Sequence, residues 1–298
     1  MAALGSLLCA VPGPPGGRIH AAPAAGQALG PSGWQLIVLG IAQDGGIPHL
    51  GCQDAICADI RAGRRAAEKI ASIGLVHGES GAAYLFDATP DFRAQVQVLT
   101  GGRPPDGIFL THAHIGHYTG LMYLGKESIA ARQVPVYGTR RMADFLAANG
   151  PWNLLVRDRH IDLRQIEMDR PVALQAGIRV TAFPVPHRDE LTDTVGFVIE
   201  GPRARVLYVP DTDRWETWNR PIRDLVDQVD LAFLDGTFAS ATEVGGRSLA
   251  EIPHPLMPVT RDLVRGARGR VWFIHLNHTN RELVTGSDVA REGMKFPI

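Results

Sequence analysis

Between residues 111 and 117 the chain reads Thr-His-Ala-His-Ile-Gly-His, directly after the apolar run Ile108-Phe109-Leu110. No other stretch limits the choice of fold as tightly. Three of the 11 histidines fall within this one short segment of a 298-residue chain. Residues two apart leave a strand on the same side, so His112 and His114 share a face, and a turn after them can swing His117 to the same point. Neutral imidazoles are good ligands for Zn²⁺ and Fe²⁺. The bland alternative is a polar loop with incidental histidines. A metal reading therefore needs further ligands, delivered from rigid elements elsewhere in the chain.

Candidates for those ligands recur where apolar runs end. Gln35–Ile41, Ile70–Leu75, Ala82–Asp87, Ile108–Thr111 and Pro135–Tyr137 read as short buried strands. Ile178–Pro184, Val195–Glu200, Arg205–Val209, Leu231–Leu234 and Val271–Ile274 continue the series, with helices expected at 139–148 and 258–265. His187 follows one such strand, Asp211 another and His275 the last. Each alone reads more simply as a hydrogen-bonded structural residue. Together they describe strands that repeatedly bring a His or Asp to one edge. Strands, a helix, strands again, then helix and strand suit two packed sheets with helices outside.

Composition narrows the partners. Thirty Lys+Arg against 31 Asp+Glu give a net charge of -1, so no excess basic field exists to displace the counterions of a long nucleic acid. No apolar run approaches the roughly 18 residues of a membrane helix. A small-molecule substrate is the partner expected, with a homodimer left open. Residues 1–33 are rich in Ala, Gly and Pro and read as a weak export signal or an unstructured tail, since the first Arg is Arg18. Export would place the protein in the periplasm or medium; otherwise it is cytoplasmic. Three cysteines (Cys9, Cys52, Cys57) are too few for a disulfide framework.

The ordered series resembles the metallo-β-lactamase fold superfamily over about residues 34–286. Asp87 matches its first motif, His112, His114 and His117 its second, His187 its third, Asp211 its fourth and His275 its fifth. The resemblance implies an α/β fold, an αββα sandwich of two mixed sheets with helices on the outer faces, spanning 34–298. It implies one or two zinc ions, with manganese or iron as alternatives. His112, His114 and His187 would form a first site and Asp211 would bridge to a second with His117 and His275. One departure stands out: Gly116 replaces the second-motif Asp that ligates the second metal. That site would then be weaker, empty, or completed by another group; His278 is the nearest spare ligand but reads more simply as a residue at the surface or behind the ligands, and Gly116→Asp is expected to raise the occupancy of the second metal.

Within the superfamily, Gly45-Gly46-Ile47-Pro48 with Cys52 and Cys57, Leu234–Phe238 and Phe273–Asn277 resemble the pyrroloquinoline quinone biosynthesis B proteins. Those largely lack the second-motif histidines that this chain has. The phosphodiesterase branch, RNase Z and the cyclic-phosphate phosphodiesterase of phosphonate breakdown, is also similar. By that resemblance Asp235 and His254 would handle a proton, Asp87 would orient an imidazole, and Cys52, Asp54, Cys57 and His49 would form a small structural zinc site. Two free thiols or one local disulfide is the competing reading for the cysteines. The function implied is metal-assisted hydrolysis of a phosphodiester or related small ester. An iron-dependent oxygenase, a β-lactam or lactone hydrolase, and a non-catalytic metal binder are the alternatives.

Overall fold

The computed structural model describes residues 33–244, 248 and 252–298. The segment 1–33, read as a signal or tail, lies outside them apart from Gly33. The chain opens with β1 (Trp34–Gly40), α1 (Ala55–Arg61), β2 (Ser72–His77), β3 (Ala83–Phe86), α2 (Phe92–Thr100), β4 (Gly107–Phe109), α3 (Ile115–Tyr118), β5 (Val134–Gly138), α4 (Arg140–Ala148), α5 (Trp152–Arg157) and β6 (Ile161–Gln165). It continues with β7 (Pro171–Ala173), β8 (Arg179–Pro184), β9 (Val195–Glu200), β10 (Arg205–Val209), α6 (Ile222–Val226), β11 (Leu231–Asp235), α7 (Met257–Leu263), β12 (Arg270–Ile274), α8 (Glu282–Thr285) and β13 (Lys295–Pro297).

These strands form two mixed sheets, ordered β13-β1-β2-β3-β4-β5-β6 and β12-β11-β10-β9-β8-β7. The period-two alternation of each strand sends successive side chains to opposite faces. In β1, Leu36 and Val38 point between the sheets, where they join Phe86, Phe109, Phe197, Ile199 and Tyr208. Ile37 and Leu39 point outward into a second cluster with Phe92, Val96 and Leu99 of α2, and the same cluster takes in Met142 and Leu146 of α4, which packs over β5 and β6. On the second sheet, Leu207, Val209, Ala232 and Leu234 face outward onto Ile222 and Val226 of α6. Both faces of both sheets are therefore buried, which is why the strands read as apolar runs rather than as strict alternation. The expected αββα sandwich is the observed fold. No helix among the described residues is long and apolar enough to cross a membrane.

Helix boundaries follow local chemistry. Thr139 caps α4, its hydroxyl accepting from the Met142 N–H at 3.2 Å. Gly101 ends α2 in the left-handed region at φ 71°. Elements such as β6, β7 and β13 were not expected from the sequence; β7 and β13 are three residues long and too short to show a period.

Topology decides where the site can be. In the first sheet β1 and β3 both pair antiparallel with β2, and β4 pairs parallel with β3. In the second, β8 and β10 both pair antiparallel with β9, and β11 and β12 follow β10 in parallel. Thus β1, β3 and β4 share one direction within their sheet, and β8, β10, β11 and β12 share one within theirs. Their carboxyl ends line one edge of each sheet, the position that open α/β sheets use for ligands.

The aromatic centre of the sandwich holds the two sheets together. The Phe109 ring stacks on Tyr137 with centroids 4.4 Å apart and on Phe86 at 5.1 Å, and meets Phe197 edge-on at 5.7 Å. Phe109→Ala should cost about 3–5 kcal/mol of unfolding free energy in urea denaturation. A cost below about 1 kcal/mol would show that this stack is not where the sheets gain their cohesion.

Candidate metal centre

Seven strand ends deliver the site. Asp44 follows β1, Asp87 follows β3, and the histidine cluster follows β4. His187 follows β8, Asp211 follows β10, Asp235 closes β11 and His275 follows β12. Asp87 and His275 adopt positive φ, 66° and 64°. Residues other than Gly adopt this region seldom, Asp and His more often than most, so the surrounding structure helps to hold both turns in place.

The first group is His112, His114, His187 and Asp211. His112 Nε2 and His114 Nδ1 stand 2.9 Å apart, and His187 Nε2 and His114 Nδ1 3.3 Å. Asp211 Oδ2 lies 3.4 Å from His112 Nε2 and 3.2 Å from His187 Nε2. Ligands held about 2.0–2.1 Å from a tetrahedral ion stand about 3.3 Å from each other. The spacing thus fits a cation of zinc size.

The proton positions fit as well, because the remote nitrogen of each ring is held by an oxygen. The Thr111 hydroxyl donates to Asp87 at 2.9 Å, so it accepts from His112 Nδ1 at 3.0 Å. His114 Nε2 faces Glu190 at 3.2 Å and His187 Nδ1 faces Asp213 at 3.1 Å. Each contact places a proton on the outer nitrogen and leaves a lone pair on the inner one. Burial opposes a charge on His187, but Asp211 and Asp213 overcome it and raise its pKa to about 10. Burial also disfavours the Asp211 carboxylate, yet His187 and His275 hold its pKa well below the usual range. The carboxylates at this edge draw in positive charge, from a proton or from a metal that displaces it.

A second group is Asp44, His117 and His275. Asp44 Oδ1 lies 3.3 Å from His117 Nε2 and 3.4 Å from His275 Nε2. His117 Nδ1 donates to Asp87 Oδ2 at 2.8 Å, and His275 Nδ1 stands 3.2 Å from the Thr237 hydroxyl. Asp87 also accepts from the Thr111 N–H at 2.8 Å. Beside these groups, Asp235 Oδ2 accepts from His254 Nδ1 at 2.9 Å while its Oδ1 takes the Thr237 N–H at 2.8 Å. Burial works against a charged His254, but Asp235 and Asp211 raise its pKa nonetheless. His254 Nδ1 is also 3.4 Å from Asp211 Oδ1.

The histidines and carboxylates proposed from sequence for the centre therefore meet at one edge, with one exception. His278 does not join His275. Its ring stacks on His49 at 4.6 Å, beside Asp54 at 3.5 Å and within reach of the Cys52 and Cys57 sulfurs. Cys52 and Cys57 are joined as a disulfide, the competing reading, while the same two sulfurs and a His278 nitrogen lie within 4.8 Å of one another, a spacing that could hold a metal ion once the cysteines are reduced. His49 binds the Leu50 carbonyl through Nδ1, and Asp54 is exposed. The sequence reading missed Asp44, Asp213 and Glu190. Only Asp213 carried a signal, an acidic residue two positions past Asp211.

Gly116 also needs a correction. A Cβ at this position would stand 2.2 Å from Asp44 Oδ1 and 2.8 Å from Asp44 Cα. Position 116 has no room for an aspartate while Asp44 occupies the space, so Gly116→Asp would not strengthen the site by simple addition.

A family model described as "Beta-lactamase superfamily domain" matches residues 83–275. The chain belongs to this superfamily. "Coenzyme PQQ synthesis protein B" of Methylobacterium nodulans is 29% identical over 290 residues, covering 86% of this chain and 94% of that protein. The Zn²⁺-bound PqqB structure from Methylobacterium extorquens superposes with a TM-score of 0.76 at 22% identity, over 89% of this chain and 100% of that one. A diphosphatase from the PhnP family superposes with a TM-score of 0.64 at 22% identity, over 89% and 97%.

If the first group holds a metal, His114→Ala should lose the ion bound there, counted as zinc per chain by plasma mass spectrometry after dialysis. Full retention would contradict the grouping.

Proposed function

We propose that this protein is a metal-dependent hydrolase acting on a phosphodiester or related small ester. The carrying observation is the convergence of three imidazole lone pairs and Asp211 Oδ2, each ring locked from behind by an oxygen. His112, His114, His187 and Asp211 would hold zinc or manganese. Such an ion supplies Lewis acidity and activates water near neutral pH. Thr111, Glu190 and Asp213 keep the ligating nitrogens free of protons. Asp87 performs the same service for His117.

The proton for the leaving group comes from His254. Its Nδ1 is engaged by Asp235, which leaves Nε2 as the ring nitrogen able to donate to a departing oxygen. The Thr212 and Thr237 N–H groups hold the Asp235 carboxylate, at 3.2 and 2.8 Å, so the pair stays oriented. A buried carboxylate–imidazole pair beside the ligand cluster serves hydrolysis with a poor leaving group.

A second reading draws on the relatives instead. The match to coenzyme PQQ synthesis proteins spans nearly the whole of those chains, and iron at the same ligands would suit an oxygenase. Metal identity separates the two. Under the leading reading, zinc- or manganese-loaded protein turns over bis-p-nitrophenyl phosphate, chelation abolishes this and re-addition restores it. Iron in the purified protein, with oxygen consumption and no turnover on an ester panel, would replace that reading with the second.

His254→Ala gives a sharper test. Nitrophenolate leaves without help, so its diesters should be turned over nearly as fast by the variant. Diesters with alkyl leaving groups should lose about 100-fold or more in kcat. Equal losses on both would remove the proton-donor role.

A further inference from the structure

We infer that Asp44, on the turn after β1, is the carboxylate ligand of a second metal site completed by His117, His275 and the shared Asp211, in the volume that a side chain at position 116 would otherwise fill. The inference rests on the metal-centre reading above and names the group that completes a site from which Gly116 removes one oxygen ligand.

Occupancy of space comes first. The aspartate oxygen stands 2.2 Å from the point where a Cβ at 116 would be, so the carboxylate lies where a side chain from α3 would begin. Gly116 is thus the residue that admits Asp44. The two positions are 72 residues apart in the numbering (116 minus 44) and meet only in the fold.

Proton bookkeeping comes next. A purely structural role would make Asp44 the hydrogen-bond partner of a charged His117, clamped between Asp87 and Asp44. The geometry does not match that role. His117 Nδ1 makes its bond to Asp87, whereas His117 Nε2 is buried with no hydrogen-bond partner, although Asp44 Oδ1 is only 3.3 Å away. An orphaned buried nitrogen beside a carboxylate is costly unless something else binds both. His275 differs in that its Nε2 does reach the same oxygen, in a long contact of 3.4 Å, while its Nδ1 stands at the Thr237 hydroxyl. Asp211 Oδ2 stands 3.8 and 3.9 Å from these two nitrogens. Asp211 Oδ1 is likewise buried without a hydrogen-bond partner, with His254 Nδ1 3.4 Å away. Two imidazole nitrogens and carboxylate oxygens from opposite sides form a donor set suited to zinc or manganese.

The test counts ions. Purified protein is titrated with Zn²⁺ under a competing chelator, and bound zinc per chain is measured by mass spectrometry. Anomalous scattering at the zinc edge places the ions. The wild type should bind two, the second within about 2.0–2.2 Å of Asp44 Oδ1. Asp44→Ala should bind one and keep the His114-dependent ion. Asp44→Asn, which preserves shape, should fill the second position only at higher free zinc. Gly116→Ala changes no donor atom, yet it should also weaken the second ion by displacing Asp44. Two ions with unchanged affinities in both Asp44 variants would overturn the inference, and so would a single ion in the wild type; either leaves the first site intact. Absence of any ion from the wild type would instead remove the metal-centre reading itself.

Discussion

Charge burial at one edge of the sandwich is the constraint to which the rest of the structure answers. Asp87, Asp211 and Asp235 are almost wholly removed from water, together with His112, His117, His187, His254 and His275. An isolated buried carboxylate costs several kcal/mol even after relaxation, so each must find donors or positive charge. Asp87 and Asp235 find them in the protein. Asp87 takes a backbone N–H, a threonine hydroxyl and the His117 ring, and Asp235 takes two backbone N–H groups and His254. Asp211 and the part-exposed Asp44 are less well supplied: each has a long contact to an imidazole nitrogen at 3.4 Å, Asp211 Oδ1 to His254 Nδ1 and Asp44 Oδ1 to His275 Nε2. Most of the other ring nitrogens around them belong to imidazoles whose protons are held on the far side. What remains in the middle is negative charge and lone pairs, an arrangement that a divalent cation stabilises and an empty cavity does not.

Such convergence needs strands that agree in direction across two sheets. A single antiparallel meander would send alternate strand ends to opposite edges. Here β2 and β9 are the reversing strands, and every strand that carries a centre residue runs the other way within its sheet. The apolar faces fix the sheets at their separation. The positive-φ turns at Asp87 and His275 then bend the chain sharply enough to point a side chain back over the edge. The fold thereby separates two tasks: aromatic packing holds the sheets, and turns outside that packing hold the charges.

Much of this was legible in the sequence, and the reason is physical. His112, His114 and His117 are close in the chain, and strand periodicity brings their side chains together without tertiary information. His187, Asp211 and His275 were legible because each follows a strongly apolar run, which marks a strand end. Asp44 lacked any such signal. It lies in the turn Gln43-Asp44-Gly45-Gly46, four residues past β1, where an acidic residue before glycines reads as ordinary turn chemistry. His278 misled for the opposite reason: sequence distance from His275 is small, but the chain turns at Asn277, whose side-chain oxygen accepts the His278 N–H at 2.8 Å. Proximity along the chain predicts a shared site only inside a regular element.

The Gly116–Asp44 pair carries that argument one step further. A ligand position in a folded protein is a volume with a charge requirement, and the residue that fills it need not come from a particular place in the chain. At this edge the volume between α3 and the turn after β1 has room for one side chain. With a carboxylate entering from β1, position 116 must surrender its Cβ; with a side chain at 116, Asp44 could not lie where it does. The two positions are therefore mutually exclusive sources of one acidic group. Gly116, read alone, looks like the decay of a site. Read with Asp44, it is the steric condition for the same negative charge to arrive from the other side.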